Sequence, residues 1–405
     1  MTPIKNRYQV EKHTILIFGA GKIGRSFIGQ LFGTGGYRVV FADIDQAIVD
    51  LLNQKGSYRV IFKGETDREI VVSNVKAISV RDEERVAEAV STAGIMAVSV
   101  GKNALEKVIP LIARGLVQRK NRFSGAPLDI IIAENMISGG KFMEERLLRH
   151  LPFDFPLSDL VGLVETSIGK MVPIMNQTEL EKDPLMVYAE PYNTLILDGN
   201  GFKTPIPQIE GLSPKKNIKA WVDRKAFIHN LGHATAAYYG HFLHPEAGYM
   251  YEILNDDRVL KFTKDVMMQS SDILCMAYPD DFTPADLENH IDDLLQRFRN
   301  RALKDTVFRV GHDLVRKLSF DDRFMGAVRL AEKFNMPYEK ILKAMSYGFV
   351  FKAKDDDGNF YGSDLELLNA LTGNFQATFI NYLNFDPATD NGIIRVLKKM
   401  YDSFY

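Results

Sequence analysis

Ile15-Leu16-Ile17-Phe18-Gly19-Ala20-Gly21-Lys22-Ile23-Gly24 is an apolar run that breaks into a glycine turn, and Arg25-Ser26-Phe27-Ile28-Gly29-Gln30-Leu31-Phe32 resumes with helical spacing. The order is strand, turn, helix. Each glycine answers a different need: Gly19 permits the tight turn, Gly21 lets a pyrophosphate approach the backbone, and Gly24 lets the helix lie close on the strand, with the phosphates at the positive helix N-terminus. A second apolar strand, Tyr37-Arg38-Val39-Val40-Phe41-Ala42, runs into Asp43, at the spacing where an acidic side chain meets an adenosine ribose. A carboxylate there accepts both ribose hydroxyls and repels a 2′-phosphate, so the expected cofactor is NAD rather than NADP. Asp45 is close enough to share or take the role. The cradle is read as Gly19, Ala20, Gly21, Lys22, Ile23, Gly24 and Asp43, joined by Val100, Gly101 and Asn135 at later strand ends.

Outward from this unit, apolar runs alternate with helical patterns: Ile70-Val71-Val72, Glu83 to Val90, Ile95 to Val100, Leu105 to Leu116, and Ile130-Ile131-Ile132-Ala133. Such alternation predicts a doubly wound parallel sheet of Rossmann type, with ligands beyond the carboxyl ends of its strands. Leu163-Val164-Glu165 and Met186 to Ala189 read as further strands. From Lys216 onward amphipathic helical stretches take over, the clearest being Ile218 to Leu243, Ala285 to Phe298, Lys304 to Leu318, Arg323 to Phe334 and Tyr338 to Phe349. Thr204-Pro205-Ile206-Pro207 reads as the linker. The expectation is an α/β protein with a nucleotide-binding domain over 1–205 and an all-α substrate and catalytic domain over 206–405. The active site is expected where the helical domain faces the carboxyl edge of the sheet.

Composition narrows the class. The 405 residues are 46% hydrophobic and 25% charged with a formal charge of −2, which argues against a nucleic-acid or anionic-membrane surface as the main business. Cys275 is the single cysteine, so a disulfide within the chain and a thiolate metal site are both excluded. The stretch Met1 to Val10 has no apolar core of the kind a signal peptide needs, and no run approaches membrane-spanning length. A cytoplasmic protein is expected, monomeric or a weak homo-oligomer, acting on a small molecule.

The chemistry is concentrated in Arg224-Lys225-Ala226-Phe227-Ile228-His229-Asn230-Leu231-Gly232-His233. On an α-helix, taking Lys225 as zero, His229 falls near 40°, His233 near 80° and Asn230 near 140°, so all four line one wall. The same spacing also suits a solvated helix face. Lys225 is a potential base, which it can be only when neutral; its ordinary value near 10.4 has to fall by about 3, roughly 4 kcal/mol of destabilisation of the ammonium. Asn135 and Asn230 are amide donors suited to an oxygen that gains charge, although an asparagine after a strand, as Asn135 is, also serves simply as a turn former. His229 adds a substrate hydrogen bond or ends at the surface, the surface being the simpler expectation.

Taken in order, Gly19-Ala20-Gly21-Lys22-Ile23-Gly24-Arg25, Ala133-Glu134-Asn135-Met136 and Lys225-x4-Asn230-x2-His233 resemble the polyol-specific long-chain dehydrogenases, the mannitol dehydrogenase family. Arg297-Phe298, Asn300, Leu303-Lys304-Asp305, Arg309-Val310-Gly311, Arg316-Lys317-Leu318 and Asp322-Arg323 resemble its sugar-phosphate branch, as do Glu134 and the compact length. The resemblance implies Lys225 as general base, with Asn135, Asn230 and His233 as its catalytic partners, and NAD as cofactor. It implies interconversion of a hexitol phosphate and a ketohexose phosphate, mannitol 1-phosphate and fructose 6-phosphate first, with an unphosphorylated polyol or a hexuronate as runner-up. The chain departs from the branch at Gly169-Lys170, where an Asp-Arg pair is usual, at His312 and Leu314, where Arg and Pro are usual, and at His229, where an apolar residue is usual.

For a substrate phosphate, Arg309, His312 and Arg316 follow an i, i+3, i+7 spacing that predicts one helix face, with Lys317 beside it. A charge-paired surface helix, with Asp305, Asp313 and Asp322 as partners, has the same pattern. Two rivals come from other classes. A zinc site would use His229, His233, His241, His244 and Glu246, but no general-base Glu follows the first histidine. An idle NAD-sensing protein would have no use for Lys225, Asn135 and Asn230 together.

Overall fold

The computed structural model describes residues 9–64, 66–136, 138–175 and 177–405, so most of the Met1 to Val10 stretch lies outside the described residues. The chain divides into two compact units, Met1–Trp221 and Val222–Tyr405.

The first unit carries β1 (Glu11–Phe18), β2 (Arg38–Asp43), β3 (Ser57–Phe62), β4 (Arg68–Ser73), β5 (Val75–Ser79), β6 (Ala93–Val98), β7 (Leu128–Ile132), β8 (Val161–Ser167), β9 (Val187–Ala189), β10 (Leu195–Asp198) and β11 (Leu212–Lys215). Eight of them form one sheet in the order β11-β10-β8-β7-β6-β1-β2-β5, parallel except where β10 meets β8. The apolar run of β1 explains its central place. Ile15 and Ile17 enter one core with Phe27 and Phe32, while Leu16 and Phe18 enter the other with Val86 and Ile109. A strand covered on both faces has no polar side to show, which is why it reads as continuous rather than alternating.

Two sequence expectations shift. Ile70-Val71-Val72 is not a strand of the main sheet; it lies in β4, which pairs antiparallel with β3 in a separate three-stranded sheet, and β5 takes the edge position beside β2. Thr204-Pro205-Ile206-Pro207 falls inside the first unit, because β11, beyond it, pairs with β10.

Among the described residues the second unit is helical apart from one isolated bridge between Tyr249 and Thr306. Its central helix, Leu231–Leu243, packs on the helices Asp257–Ala277 and Glu339–Gly348. Gly232 makes that approach possible, since a Cβ there would meet Met267 Sδ at 2.4 Å. No described helix is long and apolar enough to cross a membrane.

Candidate active site

At the carboxyl ends of β1, β2, β5 and β6 the first unit has a cavity of about 770 Å³, lined by Gly19, Gly21, Asp43, Ile44, Arg81 and Val100 with one face of the helix Lys102–Arg122. The three glycines behave as three different residues. Gly19 has φ +96° and its Cβ would strike the Ser99 carbonyl, while a Cβ on Gly24 would sit 2.0 Å from the Gly19 oxygen. Nothing lies within 4 Å of a Cβ on Gly21, so that face is open to a pyrophosphate. Open backbone at Gly21, a cleft of this size and a carboxylate at its edge fit the adenosine half of a dinucleotide.

The turn is held from behind. Asp43 accepts the Ala20 N–H at 2.5 Å and the Asp45 N–H at 2.9 Å, so it braces the glycine turn as well as facing the cavity, and Asp45 instead caps the helix Gln46–Lys55. Arg25 is buried, donating to the carbonyls of Ala20 at 2.6 Å and Leu185 at 2.6 Å. Lys22 is exposed and Ile23 packs against the core. Glu134, buried after β7, accepts the N–H groups of Val100 at 2.7 Å and Gly101 at 2.9 Å, and burial pushes its carboxyl up. Asn135 follows it and is exposed.

In the second unit the Lys225–Asn230 segment is a π-helix, with the Leu231 N–H donated to the Ala226 carbonyl. The angles expected for an α-helix therefore do not hold. An i→i+5 ladder widens the turn, which brings Lys225 and Asn230, five apart, closer to one line than the 140° that an α-helix sets between them. Lys225 keeps some exposure but is crowded on all sides, and that burial, followed by the Arg323 guanidinium, pushes its amine down to about 8. His233 lies flat on Phe298, with centroids 4.3 Å apart and planes 6° apart, and its Nε2 is 3.5 Å from Asp305 Oδ2. Burial holds the His233 imidazole far below its usual range, so it is neutral. His229 is not at the surface. It is buried edge-on to Phe298 at 5.5 Å and is also held neutral.

Residues 13–211 match the mannitol dehydrogenase Rossmann domain and residues 217–378 match the mannitol dehydrogenase C-terminal domain. The chain belongs to the mannitol dehydrogenase family. Solved structures of similar fold include mannitol 2-dehydrogenase of Pseudomonas fluorescens, a ternary complex with NAD and D-mannitol, at 15% identity over 97% of this chain and 92% of that one, TM-score 0.70. Another is D-sorbitol dehydrogenase in substrate-free form, at 16% identity over 97% of this chain and 94% of that one, TM-score 0.75. At such identity the likeness is one of fold.

Within this mannitol dehydrogenase family chain, the basic stripe expected on one helix face is broken. Val307–Gly311 and Leu314–Lys317 are separate short helices, because His312 is extended and Asp313 turns left-handed with φ +68°. Side chains capture the backbone there: Asp364 accepts the N–H groups of Asp313 and Leu314, and Lys317 Nζ donates to the carbonyls of Val310, at 2.7 Å, and His312. Arg309 pairs with Asp305 at 2.6 Å, Arg316 pairs with Asp313 at 2.5 Å and with Asp322 at 3.1 Å, and His312 stacks on Tyr361 at 4.1 Å. The charge-paired alternative thus describes these cations better than a single clamp face.

The histidines of the zinc rival disperse: His241 meets Phe351 edge-on and His244 bonds Asp256 at 2.8 Å. Among the described residues no group of three or more His, Cys, Asp or Glu converges as metal ligands. Sequence reasoning valued Glu134 and Arg323 only as parts of the branch's motifs. The spacing of Asp305 and Arg309, four apart, was the available sign that Arg309 is held by a carboxylate.

Proposed function

We propose that the protein is an NAD-dependent polyol dehydrogenase that interconverts a hexitol phosphate and a ketohexose phosphate, mannitol 1-phosphate and fructose 6-phosphate first. What carries this is a lysine amine brought down to about 8 by burial, one π turn from an asparagine amide, with His229 on the same turn and His233 on the helix that follows both held neutral. Gly19, Gly21, Gly24 and Asp43 would hold the dinucleotide, with Val100 lining the same pocket. Bound there, NAD supplies the hydride acceptor.

Lys225 Nζ takes the proton of the substrate hydroxyl, which it does only when neutral. Asn230, and by family resemblance Asn135, donate amide N–H to the oxygen as it gains charge, and neither titrates. His233 lies against the Phe298 face, and its Nε2, 3.5 Å from Asp305 Oδ2 but not hydrogen-bonded to it, is left for a substrate hydroxyl. No metal is needed, because the amine itself accepts the proton, and activity should survive EDTA.

The phosphate rests on the resemblance to the sugar-phosphate branch. A second reading, an unphosphorylated polyol or hexuronate on the same machinery, is favoured by one observation: Arg309, Arg316 and Lys317 are each engaged with carboxylates or carbonyls. NADH oxidation with fructose 6-phosphate, fructose, fructuronate and tagaturonate, with NADPH and EDTA controls, tests both. Turnover confined to fructose 6-phosphate with NADH supports the first. Turnover on an unphosphorylated substrate replaces it with the second, and no turnover on any of the four overturns both.

A further inference from the structure

Arg323 opens the helix Arg323–Lys333, and that helix packs directly on the π turn: a Cβ on Gly326 would meet the Phe227 ring at 2.6 Å. Its side chain is 8% exposed, bonds Asp322 Oδ1 through Nε at 2.7 Å and donates from Nη1 to the Asn230 carbonyl at 3.2 Å. A buried guanidinium is costly unless it is paired and hydrogen-bonded. This one ends on the backbone of the residue that closes the π turn. We propose that Arg323 is a positioning residue for Lys225 and Asn230: it fixes the Asn230 end of the π turn and keeps a permanent positive charge facing the lysine amine. The inference rests on the reading of Lys225 as the base.

Charged groups on the helix and turn beside it act on Lys225. Arg323 and Arg316 disfavour its ammonium, and Asp322 favours it. Arg316 shares its charge with Asp313 and Asp322, while His229, on the same turn, is neutral. Arg297 and His290 act on His229 instead. An arginine does not titrate near neutrality, so its push on the lysine is the same at every working pH. A lysine in its place would carry the charge without the planar fork.

The test measures the amine directly. In the full-length protein without cofactor, the pH dependence of Lys225 acylation, read by peptide mass spectrometry, gives the midpoint of this amine whether or not it is catalytic. The wild-type midpoint is expected near 8. Arg323→Met should raise it by about one pH unit, Arg323→Lys should restore it, and Asp322→Asn should lower it. An Arg323→Met midpoint equal to wild type overturns the inference. Should Arg323→Met not fold, an Asp322→Asn midpoint that stays put or rises overturns it. Should the midpoints move as stated while the pH profile of NADH-linked turnover does not follow, the charge effect of Arg323 stands and the assignment of Lys225 as base fails.

Discussion

At the residue scale the account turns on one amine. With Lys225 near 8, about a tenth of it is neutral at pH 7 and about nine-tenths at pH 9. Polyol oxidation consumes the neutral form, so its kcat/KM should climb about tenfold per pH unit below 8 and level off above it. Ketose reduction draws its proton from the ammonium, so it should hold below 8 and fall above. Opposite slopes in the two directions, meeting at one midpoint, are the expected result of steady-state pH profiles; parallel slopes would remove the lysine from the proton transfer.

At the scale of elements, both stretches that the sequence singles out contain a π turn, Gly24–Gly29 in the first unit and Lys225–Asn230 in the second. Such turns are concentrated at functional sites. They are invisible to a periodicity of 3.6, which is why the residues of the lysine segment were legible and their angular relation was not. The broken helix between Val307 and Lys317 was hidden for a related reason. Its interruption is made by Asp364, some fifty residues on, and local spacing carries no record of that partner. The glycine turn was legible because each glycine answers a steric demand within a few residues. It also yields a split prediction. Gly24→Ala drives a Cβ into the Gly19 carbonyl and should cost about 3 kcal/mol or more, seen as a lowered Tm. Gly21→Ala meets nothing, so it should melt as wild type while weakening NADH binding in a fluorescence titration. Equal losses of Tm in the two variants would contradict the assignment of Gly21 to the cofactor.

At the scale of the whole molecule the class was readable because a parallel sheet buried on both faces needs apolar runs, and β1, β6 and β7 each carry one, over residues 15–18, 95–98 and 130–132. Ile70-Val71-Val72 is equally apolar and misleads, since only the pairing with β3 shows that it belongs to another sheet. The unit boundary was placed too early because prolines mark a break in hydrogen bonding, not the end of a domain, and β11 rejoins the sheet beyond them. The substrate's phosphate was the least legible feature. Spacing supplied cations, and only the fold shows that carboxylates and carbonyls engage them. The most direct test of the central claim, that this is a dehydrogenase whose base is Lys225, is to compare Lys225→Ala with wild type for NADH affinity and for turnover on whichever ketose the wild type reduces. The account predicts an unchanged Kd for NADH with turnover reduced by at least about 10²-fold. A variant that binds NADH as wild type does and still turns over at a comparable rate would contradict it.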